Sequence, residues 1–557
     1  MSTEIYILLV LLLLTLIGAF YYLRSYRHPI VLRLSTDSSQ LLVIPLEQLQ
    51  QAKRLLQRTH RLKAILADND VHITWLDNAI NFVGMSNQER SELIAERLMA
   101  TCENIDANVF KLSLGETFPL NVSDCLLYFP PANLPTADDI IRYLQRNNLD
   151  NCNMVIITLE PTQQIQLRPY GEDRTTRLIV PTSRELTALL LQPKPTDVFV
   201  FLLANQLAIT QISPYMTKGG VTKNSAFFGR EKIITDILNR KLANYLIIGG
   251  RQLGKSSLLK RIKRHYENHS KVECYYLTLW GSNLQDILID LLKLPEDTQL
   301  NDLFKKLGHV PAGKQRLLLI DEADEFIRSE KANNYPVLSF FRGLSELGNC
   351  HFIFAGFWNL HDASDIDYQS PIKNFGRTIH IGKLETKACR QLATKPMAML
   401  GIRYESEKLV AQILTETGQR ANLIATVCDE ILNKLAIKQR VLTQKEVSNA
   451  LHSKAIAEAL SGWGELTGDE QATRLDRIII YATIKKGEFT KTALLNFLNK
   501  YRYSYTTTQL EKSLKRLEIA FIIQRDNKNR YNYCVPLFRK MLLKEDLIAL
   551  LKQELIS

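Results

Sequence analysis

The sequence predicts an α/β protein whose centre is a parallel sheet, preceded by a smaller α/β region and followed by helices and a basic C-terminal block. Three observations point there. A glycine-rich loop, GGRQLGKSS, follows the apolar run NYLII at 244–248. A second apolar run, RLLLIDEADEF, ends in two adjacent carboxylates, Asp321 and Glu322. Two further runs, VECYYLTLW (272–280) and CHFIFAGF (350–357), are continuously apolar rather than alternating, as strands buried on both faces of a parallel sheet are.

At 557 residues the chain exceeds a single core and calls for several domains. Apolar residues are 46% and charged residues 23%, which excludes wholesale disorder. The net charge of +12 favours an anionic partner such as nucleic acid or a lipid surface. Eight cysteines carry no C-x-x-C or Cys/His ligand spacing, so reduced thiols and no zinc site are expected.

In chain order, Ile5 to Leu23 are nineteen residues without a charge. As a helix they extend about 28 Å, close to the apolar thickness of a bilayer. Arg24, Arg27 and Arg33 follow, and the positive-inside rule places the rest of the chain in the cytoplasm. The expectation is one transmembrane helix, a single-pass anchor in the cell's inner (plasma) membrane. The competing reading, a cleaved signal peptide, lacks a basic n-region and a small-residue cleavage site.

Residues 30–210 form the small α/β domain. LEQLQQAKRLLQRTHRLKAIL (46–66) has helical spacing and reads as a membrane-surface helix or an ordinary solvated face. CLLYF (125–129), MVIITL (154–159) and RLIV (177–180) read as strands. ADDIIRYLQR (137–146) and SRELTALLLQ (183–192) read as helices. The alternation suggests a mostly parallel sheet, and its polar residues form no constellation that assigns a chemistry.

GGRQLGKSS fits G-x-x-x-x-G-K-[ST] over Gly249, Gly250, Arg251, Gln252, Leu253, Gly254, Lys255 and Ser256, with Ser257 next. Glycines let successive N–H groups turn inward around a phosphate without side-chain clash. The helix that follows points its partial positive end at the same phosphates. Lys255 then reaches the β- and γ-phosphates, and Ser256 coordinates Mg²⁺. The strand ending at Asp321 and Glu322 delivers two acids to the sheet edge where ligands bind, Asp321 to the Mg²⁺ shell and Glu322 to the attacking water. ATP and Mg²⁺ are the expected cofactors, and the expected core is a P-loop NTPase. The DEAD lettering continues into no helicase motif.

ISPYMTKGGVTKNSAFFGREKIITDIL (212–238) resembles the lead-in of prokaryotic AAA+-related ATPases of the STAND and archaeal-ATPase type. The resemblance implies that Phe228, Gly229 and Arg230 border the adenine. SPIKNFGRTIHIGKLE (370–385), KPMAMLGIRYE (395–405) and ETGQRANLIATVCDEIL (416–432) resemble the same family's lid region, and YNYCVPLFRKML (531–542) the end of its winged helix. The implied domains are an ATPase domain at 212–385, a helical lid at 386–450 and a winged helix at 470–545. Arg377 is a candidate arginine finger for a neighbouring copy, Arg420 a candidate γ-phosphate contact, and Asn359 a weak candidate polar sensor. Both arginines have a surface-residue alternative.

In the C-terminal block, 475–486, 490–500 and 506–520 read as helices, and RDNKNR (525–530) as the turn of a hairpin. Leu510, Leu514 and Leu517 share one helix face, leaving Lys512, Lys515 and Arg516 outward. Residues 471–540 hold 15 Lys/Arg against 5 Asp/Glu. Two roles stay open, an intramolecular clamp on the nucleotide domain and a DNA contact through 506–530, and the clamp is the preferred one. The function expected is that of a membrane-tethered ATPase switch with slow turnover, an unidentified protein effector and potential homo-oligomerisation. The alternative is a membrane-associated DNA-binding ATPase.

Overall fold

The computed structural model describes residues 3–556 except 132, 135, 150, 173–176, 280–283, 437 and 438; at 3–11, 14, 17, 19 and 172 it describes the backbone alone. The chain divides into two compact units, one running to Pro214 and the other covering Tyr215–Ala398 and Ile402 onward.

In the first unit, Thr3–Tyr26 form one helix, α1, with Arg24 in its last turn. Its described side chains begin at Leu12, and Leu12, Leu13, Leu16 and Phe20 are exposed. Among the described residues no helix is long and apolar enough to cross a membrane. The transmembrane helix expected at 5–23 is therefore withdrawn, together with the membrane as partner and the inner-membrane, cytoplasm-facing localisation built on it.

The sheet of this unit runs in chain order, β1 (Thr101–Asp106), β2 (Val109–Ser113), β3 (Asp124–Tyr128), β4 (Met154–Ile156) and β5 (Leu178–Ile179). The pairs β1–β2 and β2–β3 are antiparallel, while β3–β4 and β4–β5 are parallel. The sheet is thus mixed rather than mostly parallel, because a hairpin absent from the sequence reading adds two strands. Its outer strand, TCENID, is exposed along almost its whole length and carries no apolar signal. Helices over Ala137–Arg146 and Ser183–Leu191 are seated by Ile140 and Leu144 and by the apolar run Leu186–Leu191.

The second unit is built on β6 (Tyr245–Ile248), β7 (Val272–Thr278), β8 (Gln315–Asp321), β9 (Cys350–Gly356) and β10 (Arg377–His380), in spatial order β10-β6-β9-β8-β7. All four pairings are parallel. The end of the expected 272–280 strand, at Trp280, lies outside the described residues. Because β9 lies between β6 and β8, the loops leaving these three strands converge on one edge of the sheet. The core beneath is dense in aromatics, with Phe341 stacked on Phe352 at 4.5 Å between ring centroids. After the sheet come a helical segment, which includes helices over Thr386–Met399, Glu407–Glu416 and Ala421–Lys434, and a short parallel pair, β11 (Arg403–Tyr404) with β12 (Val441–Leu442).

The C-terminal block holds helices over Glu470–Thr483, Lys491–Lys500 and Thr507–Ile519 and a small antiparallel sheet. That sheet is β13 (Glu488–Thr490), β14 (Ile523–Arg525) and β15 (Arg530–Tyr533), with β15 central. The Thr507–Ile519 helix starts at a capping box, Thr506 with Gln509, and buries Leu510, Leu514 and Leu517. A further helix, Leu547–Ile556, is tied to the Glu470–Thr483 helix by Arg477 and Glu554 at 3.2 Å.

Candidate nucleotide site

The loop from Gly249 to Gly254 leaves the C-terminal end of β6 and opens directly into α2 (Lys255–Tyr266). Gly254 takes φ 94°, a conformation that side chains rarely adopt, and this turn points the first amides of α2 back into the loop. Leu258, Leu259 and Ile262 are buried on the same face of α2 as Lys255 and fix its axis. Lys255 is 6% exposed, and its Nζ donates to the carbonyls of Gly249 at 2.9 Å and Gly250 at 3.0 Å. Burial pushes its ammonium below the usual lysine value, opposed by Glu322, Asp324 and Asp321. Ser257 Oγ accepts from the Val221 amide at 3.0 Å, which seats the lead-in along α2.

Asp321 ends β8 and is 2% exposed. One carboxylate oxygen accepts the Tyr276 hydroxyl at 2.7 Å and the other the Glu322 amide at 3.0 Å. Burial and the neighbouring Asp321 push the Tyr276 hydroxyl up. Glu322 takes φ 53°, a left-handed conformation that costs a non-glycine residue of order 1 kcal/mol and is concentrated at functional sites. Burial raises its carboxyl above the ordinary value, with Lys255 pulling it back. Asp324 opens α3 (Asp324–Ala332), and burial raises its carboxyl too. It accepts from the amides of Phe357, Asn359 and Leu360, and so holds the short helix α4 (Trp358–His361) against the acidic strand end.

Lys255, Glu322 and Asp324 line a cavity of about 520 Å³ together with Arg251, Gln252, Asn359 and Arg420; Ser256 and Asp321 are not among its lining residues. Arg420 donates to the Arg251 carbonyl at 3.3 Å, and Asn422 to the Gln252 side chain at 2.7 Å. The Arg420 Nε is buried without a hydrogen-bond partner, and burial pushes the guanidinium down to about 10. A buried cation with an unused donor beside a glycine-rich loop fits an anionic ligand. The donor set fits a nucleotide triphosphate with its metal: Lys255 and Arg420 for phosphate charge, the Ser256 hydroxyl and the Asp321 carboxylate for Mg²⁺.

Other expected site residues fall elsewhere. Arg377 pairs with Tyr245 at the start of β6, the opposite end of the sheet from the loop, so it takes no part in its own chain's site. Phe228 and Gly229 are not among the residues lining the cavity. Gly229 packs against Glu385, Leu384 and Ala388. Arg230 is buried and donates to the carbonyls of Gly382, Lys383 and Leu253, which makes it a strut under the loop. Asn359 does line the cavity, and its side-chain amide donates to the Asp324 carbonyl at 3.1 Å.

Part of the wall was not foreseen. Most of residues 458–468, the end of the helix Lys454–Ser461 and the connection after it, border the cavity together with Phe521, Ile522 and Phe538 of the C-terminal block. The signal was available as a Trp flanked by glycines between two helical runs. The C-terminal block also touches the loop itself. Gly250 donates its amide to the Ile519 carbonyl at 3.0 Å, and a Cβ at Gly250 would lie 2.9 Å from the Ala520 Cα.

The helix Thr507–Ile519 that leads into this contact corrects the sequence reading. Arg516 does not face outward; it is 2% exposed, bonded to Asp476 at 2.6 and 2.8 Å and placed 4.8 Å from the Trp358 ring centroid. The helix is buried on two sides, by the Glu470–Thr483 helix and by α4, where a one-sided apolar pattern predicts burial on one. Lys512 bonds Asp362 at 3.1 Å, and Asp362 also holds Lys331 of α3 at 2.6 Å. Lys515 lies 3.9 Å from Glu518, and Arg530 pairs with Glu488 and Asp526.

The strand–loop–helix, the acid-ended strand and the crossed parallel sheet define a P-loop nucleotide-binding domain. Residues 241–363 match the family described as AAA domain. No curated protein matches the chain. Similar solved structures include a Walker-type ATPase of Pyrococcus abyssi, at 17% identity and TM-score 0.44, covering 59% of this chain and 100% of that one. The Aeropyrum pernix ORC2 protein aligns at 15% and 0.40, over 58% of this chain and 91% of that one. The Thermotoga maritima RuvB Holliday junction branch migration motor aligns at 15% and 0.31, over 55% and 92%.

Proposed function

We propose that the second unit is an ATP-binding and slowly hydrolysing switch, of the STAND-like kind, whose C-terminal domain is a winged helix clamped on the nucleotide core. The observation that carries this reading is the bond from Gly250 of the loop to Ile519, at the end of a helix whose Lys512 and Arg516 are engaged by Asp362, Asp476 and Trp358. The order helix, strand, two helices and hairpin supports the winged-helix assignment. Lys255 and Arg420 hold the phosphates, and Glu322 orients the attacking water and accepts its proton. Ser256 and Asp321 would hold Mg²⁺, which would supply charge neutralisation for the phosphates.

Asp324 offers a route from this site to the clamp. It follows the catalytic acid by two residues and holds the amides at the start of α4, and α4 carries Trp358 against Arg516 and leads into Asp362. A γ-phosphate in the cavity would also face Phe521, Ile522 and Phe538, which cannot solvate it. ATP therefore favours release of the C-terminal domain, and ADP favours docking. Release would free the helix for a protein effector or a second copy of the chain. A duplex-binding role through 506–530 likewise requires this helix to leave the core.

Hydrogen exchange of residues 507–519 in the presence of ADP and of ATP tests the reading. Faster exchange with ATP is expected. Equal exchange with both nucleotides demonstrably bound refutes the switch, and duplex binding by the ADP form refutes the clamp.

A further inference from the structure

We propose that Tyr276 is a positioning residue that fixes the metal-binding carboxylate of Asp321 from the neighbouring strand. The inference rests on the nucleotide reading above and goes one step further into how the site holds its cation.

The register makes the contact possible. Parallel pairing sets Thr278 beside Asp321 and Tyr276 beside Leu319, so Tyr276 sits two residues back on the same face of the sheet as Thr278. The length of a tyrosine side chain carries its hydroxyl forward to the strand end, where it donates to Asp321 Oδ2 at 2.7 Å. A bond to an ionised oxygen at that distance belongs to the stronger class.

A carboxylate's last torsion is broad and nearly two-fold, so a single anchor leaves its plane free to turn. Here two donors act on different oxygens: the Glu322 amide on Oδ1 at 3.0 Å and the Tyr276 hydroxyl on Oδ2. One comes from the turn after β8 and the other from β7, so rotation of Asp321 breaks at least one bond. Each oxygen keeps a further acceptor position, because a carboxylate has about four lone-pair sites. The pair of anchors therefore sets which lone pairs face the cation or its water. Ligands held this way by outer partners commonly lose metal affinity about 10–100-fold when the partner is removed.

Replacing Tyr276 by Phe in the full chain deletes one hydroxyl and keeps the ring. Affinity for a fluorescent ATP analogue is measured in EDTA and across a Mg²⁺ titration, beside thermal melting of both proteins. The expected result is wild-type affinity in EDTA with a Mg²⁺ requirement raised about tenfold. An unchanged Mg²⁺ requirement overturns the proposal and leaves the nucleotide reading standing. Failure of the wild-type chain to bind the analogue in either condition overturns the nucleotide reading itself, and this inference with it. A second measurement does not depend on how Y276F folds. In wild-type protein with ring-labelled tyrosine, adding Mg²⁺ to the ATP complex should shift the Tyr276 Cζ resonance, assigned by mutation of the other tyrosines around the site. An unshifted resonance under saturating Mg²⁺ overturns the proposal.

Discussion

The glycine-rich loop and the C-terminal domain that rests on it handle charge in opposite ways. Around the loop, Lys255, Glu322 and Arg420 converge on a cavity, and Arg420 keeps a buried donor unused. In the C-terminal domain three cations are matched: Arg516 with Asp476, Lys512 with Asp362, Arg530 with Glu488 and Asp526. Charges left unmatched at a cavity are poised for a ligand, while matched ones hold one surface to another. The same residue types thus serve binding in one region and docking in the other.

That contrast breaks most visibly at Arg516. Arg516→Ala leaves Asp476 buried without its cation, which should cost about 3–5 kcal/mol. The C-terminal domain should then melt early in calorimetry while ATP-analogue affinity holds or rises, because docking and ATP binding oppose each other. Loss of nucleotide binding in that variant would mean that the two regions are one site. The reciprocal change, Lys255→Ala, should weaken ATP about 100-fold or more, near 2.7 kcal/mol, with the melting profile intact. Titration calorimetry reads the affinity, and a variant that still binds ATP tightly removes Lys255 from its role.

The pH dependence of turnover sharpens the contrast on the core side. Glu322 must be ionised to accept a proton, and its carboxyl lies above the ordinary 4.5 because burial penalises the charged form. Turnover should therefore fall on acidification with a midpoint above 4.5, and Glu322→Gln should bind ATP yet lack both the turnover and that limb. A midpoint at or below the ordinary value would assign the proton to another group. The smallest effect belongs to Lys512, whose side chain is 38% exposed beside Asp362. Lys512→Ala should cost no more than about 1 kcal/mol of docking, measured as a modest rise in exchange at 507–519.

What could be read from the chain beforehand divides along the same line. The loop, its helix and the acid-ended strand are contiguous motifs, so the places of Gly249–Ser256, Asp321 and Glu322 in the fold were legible. Tyr276, Asp476 and the 458–468 wall act through residues tens of positions away, and no local pattern announces them. Arg516 was misread because a helical pattern reports the face with leucines, Leu510, Leu514 and Leu517, and is silent about a second face packed through a salt bridge and a tryptophan. The apolar run at 5–23 was read as a membrane span from hydropathy alone, which the described part of α1 does not sustain. The strand Thr101–Asp106 went unseen because it is paired on one side and open to water, with charged residues along it.

The closeness of Gly250 to Ala520 makes this position a spacer. With hydrogen as its side chain the loop lets the C-terminal domain settle to backbone contact, and any larger group must wedge the two apart. Substituting alanine and then valine there would act as shims of increasing thickness. Each should hold the domain further from its seat, read as stepwise gain in particle radius by small-angle scattering. A radius that stays constant across the series would show that the loop yields instead. The fit of the C-terminal block on the loop is thus set by the width of one side chain.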